Sequence, residues 1–427
     1  MESEYRKGYV YIQNHFSGII AETEEGYIFT YDQDYLDREH AVAVSLTLPL
    51  RQEPYETTIL FPFFDGLIPE GWLLGVVSRN WKPERPVWIT VICLQRLHWR
   101  CLYQERKGMK CLCCGKPITN SATNVEKEWC WHKKCVKRFF QTDELPILDI
   151  TKEQLEILAN EIVNEGLTVP GVQKKLSLHL STDLNARLTI VDYPTGYILK
   201  PQTEEFDNMP EFEDLAMRLA EIMGIQTVPH ALIKMNDEYA YITKRIDREI
   251  SEKETKLYAM EDFCQLSYRL TQDKYKGSYE QCGRIIKKCS ATPGLDLSEL
   301  FLRVVGSFVM GNSDMHLKNF SLKETEPGSR NFQLSKAYDM LPVNVIMPED
   351  KEQLALTING KKRNIHKKEF RILAESCGIP LNSAERMMKK VCSLKAKLFT
   401  QIEDSCLSAE QKEQMEELIS KRLDILS

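Results

Sequence analysis

Asp314 and Asn319 stand five positions apart, and a second aspartate, Asp339, follows the asparagine by twenty residues. That inventory suits phosphoryl transfer. One carboxylate can orient an attacking hydroxyl, while an amide oxygen and another carboxylate hold magnesium against the phosphates of ATP. The Asp-x4-Asn spacing equals that of the kinase catalytic loop, and Tyr338-Asp339-Met340 sits where the metal-binding aspartate of such an enzyme belongs. The spacing alone is weak, because surface loops are rich in Asp and Asn that cap helices and close turns. It gains weight from what precedes it in the chain.

Lys200 ends the apolar run Tyr197-Ile198-Leu199, where a compact ammonium can reach α- and β-phosphates. Glu211 and Glu213 open the next helix, and one of them is placed to pair with Lys200; the plainer reading is the acidic preference of any helix N-terminus. Thr168 to Lys175 precedes the first strand, where a loop should cover nucleotide phosphates, yet it holds a single glycine, Gly171, after Pro170. Each signal is weak, but all fall in the chain order of a kinase.

The elements that must position these groups can be read from periodicity. Leu176, Leu178 and Leu180 mark one strand, Leu188 to Val191 a second and Tyr197 to Lys200 a third, with Asp183-Leu184-Asn185 and Pro194-Thr195-Gly196 as turns. A helix follows, with Pro210 in its first turn, Gly224 beyond its last, and Phe212, Leu215, Leu219 and Ile222 on one face. Val228 to Ile233 and Tyr239 to Ile246 return as strands. Beyond Met260 the chain reads as mostly helical, with helices over Leu297 to Met310, Ala384 to Ile402 and Ala409 to Leu426. Residues 5–31 read as strands turning at Glu24-Glu25-Gly26, Leu46, Leu48 and Leu50 as an edge strand stopping at Pro49, and Pro62 to Trp72 as a bend entering a short helix. Residues 82–108 have no clear period and read as a linker.

A second constellation is Cys111-x2-Cys114 with His132-x2-Cys135. Tetrahedral zinc wants four nitrogen or sulfur ligands, and pairs two residues apart clamp it from tight turns. Cys113 and Cys130 could each substitute for a neighbour, and buried free thiols are the plainer alternative. No general base accompanies the set, so the zinc it predicts is structural. Seven of the thirteen cysteines lie between Cys93 and Cys135, a clustering that fits metal binding in a reducing compartment better than a disulfide framework.

Composition bounds the function classes. The chain of 427 residues, 43% hydrophobic and 28% charged, is ordinary for a globular protein. No apolar stretch approaches a membrane span and Met1-Glu2-Ser3-Glu4 is not a signal peptide, so a cytoplasmic location is expected. A net charge of −6 argues against a stand-alone DNA-binding surface; DNA would be reached through a partner.

Residues 166–369 resemble the HipA family of bacterial Ser/Thr kinases, the toxins of type II toxin–antitoxin modules. The matching stretches are Pro170 to Leu176, Ile198-Leu199-Lys200-Pro201, Asn208 to Leu219, Thr243 to Arg248, Glu261 to Gln265, Gly311 to Leu322, Tyr338 to Leu341 and Leu354 to Lys361. Ser45 to Leu50 and Phe63 to Gly71 resemble the family's N-terminal subdomain, which in tripartite systems is a separate protein, HipS, that restrains a shorter kinase, HipT. Residues 82–108 depart from the family pattern, and Met109-Lys110-Cys111 looks like the start of a HipT-type kinase, as though a HipS-like unit were read out of register into it.

The resemblance implies that Asp314 is the catalytic base, that Asn319 and Asp339 bind magnesium, and that Lys200 and Glu213 belong to the ATP site, Lys200 holding the phosphates. It places Gly171, Val172, Gln173, His316 and Lys318 at the nucleotide, and Lys244 to Ile246 at the adenine. Family members silence themselves by phosphorylating a serine in the loop before the glycine; here Thr168 is the hydroxyl at those positions. The implied partners are a HipB-like helix-turn-helix antitoxin and an aminoacyl-tRNA synthetase as protein substrate. The resulting expectation is an α+β chain with a bilobal, protein-kinase-like fold, an antiparallel-sheet N-lobe and a helical C-lobe. Its expected division is a HipS-like subdomain at 1–81, a linker at 82–108, a zinc knuckle at 109–148, the N-lobe at 149–260 and the C-lobe at 261–427. One rival is an inactive kinase-fold scaffold that binds a DNA-bound antitoxin. Another is nucleic-acid binding through the knuckle with Lys133, Lys134, Lys137 and Arg138.

Overall fold

A computed structural model describes residues 7–12, 15–67, 109–119, 121–148, 175–181, 187–189, 195–203, 205–235, 238–251 and 254–427. The expected linker 82–108 and the loop residues Thr168, Gly171, Val172 and Gln173 lie outside the described residues. The architecture is α+β, and the chain divides into two compact units: Pro69–Thr203 with Pro229–Lys244, and Met1–Ile68 with Glu204–Val228 and Arg245–Ser427.

The smaller unit is built on a five-stranded antiparallel sheet. Its order is Arg187–Thr189, Leu176–Ser181, Tyr197–Lys200, Glu238–Lys244, His230–Met235. Leu176 faces Leu199 and Leu178 faces Tyr197 across one pair, and Lys200 faces Tyr241 across the next. The residues around the cysteine pairs dock on this sheet rather than standing apart. Trp131 is fully buried, and its indole Nε1 donates to Leu232 O at 3.2 Å, while the Leu232 amide donates to Leu112 O. Phe139 and Phe140, from helix Lys133–Phe140, close an aromatic cluster with Trp131 and Tyr197. The second knuckle helix, Asn124–Trp129, starts at a capping box between Thr123 and Glu126.

In the larger unit, helix Pro293–Met310 forms the centre of the core. Phe301, Val304, Val305, Phe308, Val309 and Met310 on it are fully buried. It packs against helices Met209–Met223, Tyr279–Cys289 and Ala409–Leu426. Pro210 and Gly224 bound the first of these as the sequence predicts. The helix read from Ala384 to Ile402 is instead two, Leu381–Ser393 and Lys395–Glu403, joined at Leu394. The Ser393 hydroxyl donates to Lys390 O at 2.7 Å and competes for a helix carbonyl at the joint. The mostly helical stretch beyond Met260 also contains a small antiparallel sheet of Met260–Asp262, Ser321–Glu324 and Phe332–Leu334.

The N-terminal part of this unit is a four-stranded antiparallel sheet, Lys7–Ile12, His15–Thr23, Gly26–Tyr31 and Tyr55–Thr57, closed over Phe29, Tyr31, Tyr35, Leu48 and Phe61. Here the edge strand read at Leu46, Leu48 and Leu50 is corrected. That segment is a tight turn bridged between Ser45 and Leu48, and Tyr55–Thr57 supplies the fourth strand. Side chains replace strand partners. Tyr31 Oη accepts from the Val44 amide and donates to Leu48 O, and the carboxylate of Glu261 accepts from Ser45 Oγ at 2.6 Å and from the Leu46 amide at 2.7 Å.

Glu261 is nearly inaccessible, and burial raises its pKa even though the Ser45 hydroxyl and Leu46 amide favour the charged form. Nearby, Gln265 Nε2 donates to Phe63 O and the Thr271 amide donates to Asp65. Replacing Glu261 with Ala strands two buried donors. We expect Glu261→Ala to lower unfolding free energy by about 2–4 kcal/mol and to speed amide exchange at Leu46. Unchanged urea unfolding and exchange would show the contact to be dispensable.

Candidate active-site loop and cysteine cluster

Helix Pro293–Met310 ends at Gly311, whose φ of +75° turns the chain; a Cβ there would meet Leu418 as well as the left-handed backbone penalty. Asn312 follows, fully buried, and its Oδ1 accepts from the Asp314 amide at 3.1 Å. The loop then alternates between buried and half-buried residues. Met315, Leu317 and Phe320 have no exposure, whereas Asp314 and Lys318 are half-buried. Tyr279 Oη donates to Met315 O, the Leu317 amide to Lys274 O, and the Phe263 amide to Phe320 O. The backbone is thereby fixed from three sides.

Asn319 Nδ2 donates to Asp314 O at 2.9 Å, which leaves the amide oxygen as the atom able to ligate a cation. The Asp314 carboxylate accepts from Tyr275 Oη, and the Tyr275 ring meets His316 edge-on at 5.0 Å between centroids. Lys318 Nζ lies 3.3 Å from Asp262, whose pKa is raised by burial against the opposing pull of that ammonium.

Asp339 comes from the segment after strand Phe332–Leu334 and adopts φ of +59°, a conformation an aspartate tolerates only where its surroundings impose it. Those surroundings are specific. Arg303, almost fully buried, pairs with Glu299 at 2.9 Å and donates to Ser335 O. Ala337 makes a parallel bridge to Thr227; its carbonyl accepts from the Val228 amide and its own amide donates to Gln226 O. Ser321 Oγ donates to Tyr338 Oη, which donates to Lys318 O at 3.1 Å and so ties the Asp339 segment to the Asp314 loop. Burial raises the Tyr338 pKa, so the phenol stays a donor.

The larger unit thus carries Asp314, His316, Lys318 and Asn319 on one loop, and Tyr338 ties that loop to the segment of Asp339. Glu213, on helix Met209–Met223, is fully buried. Ile246 is half-buried beside Asp247; burial pushes the Asp247 carboxyl up, but the guanidiniums of Arg245 and Arg248 at 2.7 and 2.8 Å prevail and hold it well below the usual range. Asn312, Tyr338 and Asp262 stand in the sequence motifs without a role of their own and Tyr275 lies outside them, yet all four take part in the loop. Asn312 and Tyr338 adjoin catalytic candidates and could have been found; Tyr275 carries no local signal.

In the smaller unit Lys200 is 4% exposed, with Nζ 5.5 Å from the Tyr241 ring centroid. Lys244 ends the next strand, its ammonium over the rings of Phe139 and Tyr197, and burial lowers its pKa. The same unit assembles Cys111, Cys114, His132 and Cys135, whose ligand atoms all lie within 4.8 Å of one another. His132 Nδ1 is 3.4 Å from Cys114 Sγ, and its Nε2 lies 3.2 Å from Pro117 O. A carbonyl at the far nitrogen keeps Nδ1 as the lone-pair side facing the sulfurs, as metal-bound imidazoles require. The hydrogen bond with Cys135, and then burial, push the Cys111 thiol up to about 12. Cys113 accepts from Arg138 and also neighbours Cys135, and Cys130 donates to Lys127 O; the four mutually close ligand atoms are those of Cys111, Cys114, His132 and Cys135. The donor set and its orienting carbonyl fit a soft divalent cation.

Two family models match this chain: the HipA-like C-terminal domain over residues 167–398 and the HipA N-terminal domain over residues 8–90. The Sinorhizobium fredii protein named "Putative kinase Y4dM" is 31% identical over 372 residues, spanning 81% of this chain and 80% of its own. A second from that organism, "Putative kinase Y4mE", is 25% identical over 397 residues, spanning 88% and 86%. A chain in the solved complex of Shewanella oneidensis MR-1 HipA, HipB and operator DNA superposes with a TM-score of 0.62 at 14% identity, over 99% of this chain and 96% of its own. That likeness is one of fold. None of the described helices is long and apolar enough to cross a membrane.

The hydroxyl of Tyr338 is the joint between the two loop segments. Tyr338→Phe should cost about 1–2 kcal/mol in stability and raise amide exchange across Lys318 to Ser321. Wild-type exchange in that segment would mean that the loops are held by other means.

Proposed function

This chain belongs to the HipA family, and on that premise we propose that it is an ATP- and magnesium-dependent Ser/Thr protein kinase with a bilobal body. The observation that carries the reading is the core-anchored loop, which presents Asp314 on the same rigid segment as the Asn319 amide oxygen and is tied through Tyr338 to Asp339. Asn319 and Asp339 would hold the magnesium, which when bound neutralises charge on the transferring phosphoryl group. Asp314 would accept the hydrogen bond of the acceptor hydroxyl and then its proton. Lys200 would bind α- and β-phosphates with Glu213 as its partner, Gly171, Val172 and Gln173 would cover them, and His316 and Lys318 would border them. The Lys244 to Ile246 backbone would meet adenine. The Tyr275 hydrogen bond to Asp314 describes a resting carboxylate that an incoming hydroxyl would compete for.

The wider setting rests on the family and on a relative solved with HipB and operator DNA. It is that of a toxin restrained by a HipB-like antitoxin, reaching DNA only through that partner, with an aminoacyl-tRNA synthetase as the substrate class. Thr168 is the proposed site of self-phosphorylation; a phosphate there would add negative charge beside the nucleotide's own and push the loop outward. An inactive scaffold is the competing reading, and an intact set of Lys200, Asp314, Asn319 and Asp339 speaks against it.

Asp314→Asn should reduce γ-phosphate transfer by about 10²–10⁴-fold, with Asp339→Asn at least as severe, while both variants fold. Near wild-type turnover in Asp314→Asn would remove the assigned base. For the cysteine cluster we propose one structural zinc per chain on Cys111, Cys114, His132 and Cys135. Elemental analysis of protein purified without chelator should find it in stoichiometric amount, and Cys114→Ser should lose it. Chelation should loosen residues 109–148 and speed exchange of the Leu232 amide, which hangs on Leu112 O. Absence of bound metal in the wild type would leave the cluster as four thiol-and-imidazole neighbours with no ion to hold.

A further inference from the structure

In the larger unit lies a polar cavity of about 320 Å³ lined by Asn344, Asp350, Lys351, Glu352, Arg363 and Arg422, among others. Arg422 is its buried element. The side chain comes from helix Ala409–Leu426, is only 8% exposed, and stacks with its guanidinium carbon 4.6 Å from the Phe308 ring centroid. Nη2 donates to Asn344 Oδ1 at 3.2 Å, and Nη1 is buried with no hydrogen-bond partner. Among the described residues Arg422 makes no ion pair, and burial alone draws its pKa down to about 10. A guanidinium taken out of water without a counter-charge is costly, and the cavity in front of it is where the missing charge can sit.

The acids on the wall do not supply that charge. Asp350 accepts from Ser313 Oγ at 2.6 Å and from the Glu352 amide at 2.9 Å, and Glu352 pairs with Lys362 at 3.1 Å. Exposed Arg363 and Lys351 add two more cations to the lining, the latter already donating to Pro348 O. Three cationic side chains against two engaged carboxylates favour a compact dianion with several acceptor oxygens over a single carboxylate. We propose that this cavity binds a phosphate group, either inorganic phosphate or that of a small phosphomonoester, with the Arg422 guanidinium as the buried cation and Arg363 closing from the mouth. Asn344 and Asp350, both in the cavity lining, hydrogen-bond Ser313, the residue before Asp314.

The test uses the full chain in thermal unfolding and calorimetric titration, with sodium phosphate against sodium chloride and sodium acetate at matched ionic strength. Phosphate should give a saturable rise in Tm of ~2–5 °C that chloride and acetate do not. Arg422→Gln should abolish the response, and Arg363→Gln, which changes an exposed residue, should weaken phosphate binding about three- to tenfold. Lys421→Gln, on the same helix but exposed and paired with Glu417, should leave it intact. Glycerol phosphate competing with phosphate would assign the phosphomonoester source, and its failure to compete the free ion. Phosphate held anywhere else in the molecule leaves Arg363→Gln and Arg422→Gln responding like wild type. That result, or acetate matching phosphate, overturns the assignment.

Discussion

Met315, Leu317 and Phe320 are completely buried, so the backbone that joins them cannot slide or rotate without opening the core of the larger unit. Every polar residue of interest between them inherits that rigidity. Asp314 and Asn319 ride on that packing, with Tyr275 and Asn312 adding local hydrogen bonds. The same helix that ends at Gly311 to launch this loop carries Arg303, which fixes Ser335 and the approach to Asp339. One buried helix therefore sets the start of one segment and the course of the other, and Tyr338 joins them.

Buried polar ties also hold the rest of each unit. In the larger one, Glu261 substitutes for a missing strand partner by taking the Ser45 hydroxyl and the Leu46 amide. In the smaller one, Trp131 Nε1 and Leu112 O clasp the two sides of Leu232. Both contacts satisfy backbone groups that would otherwise be stranded away from water, and that makes them hard to remove singly. The cysteine cluster gains from this arrangement. Its first pair flanks Leu112 and its second pair opens with His132, next to Trp131, so the cluster is anchored to the sheet as well as grouped on itself.

Much of this could be read in the sequence. Local rules gave the strands bearing Lys200 and Lys244, the helix between Pro210 and Gly224, and the four members of the cysteine–histidine cluster, because each rests on spacing within one segment. The misreadings are equally physical. Leu46, Leu48 and Leu50 alternate like a strand, but a carboxylate more than two hundred residues away claims the Leu46 amide, and no local pattern reports that. The break at Leu394 depends on a serine hydroxyl that helix propensity hardly registers. Asp314, Asn319 and Asp339 were legible as a spacing, whereas Tyr275 and the Arg303 clamp on Ser335 arise only from tertiary folding.

The central claim is that the Asn319 and Asp339 oxygens form a divalent-cation site completed by a nucleotide. The most direct measurement is an electron paramagnetic resonance titration of Mn2+ with a non-hydrolysable ATP analogue, comparing wild type with Asp339→Asn. The account predicts nucleotide-dependent uptake of the ion by wild type, reduced at least about tenfold in the variant. Equal uptake by the two proteins would contradict it.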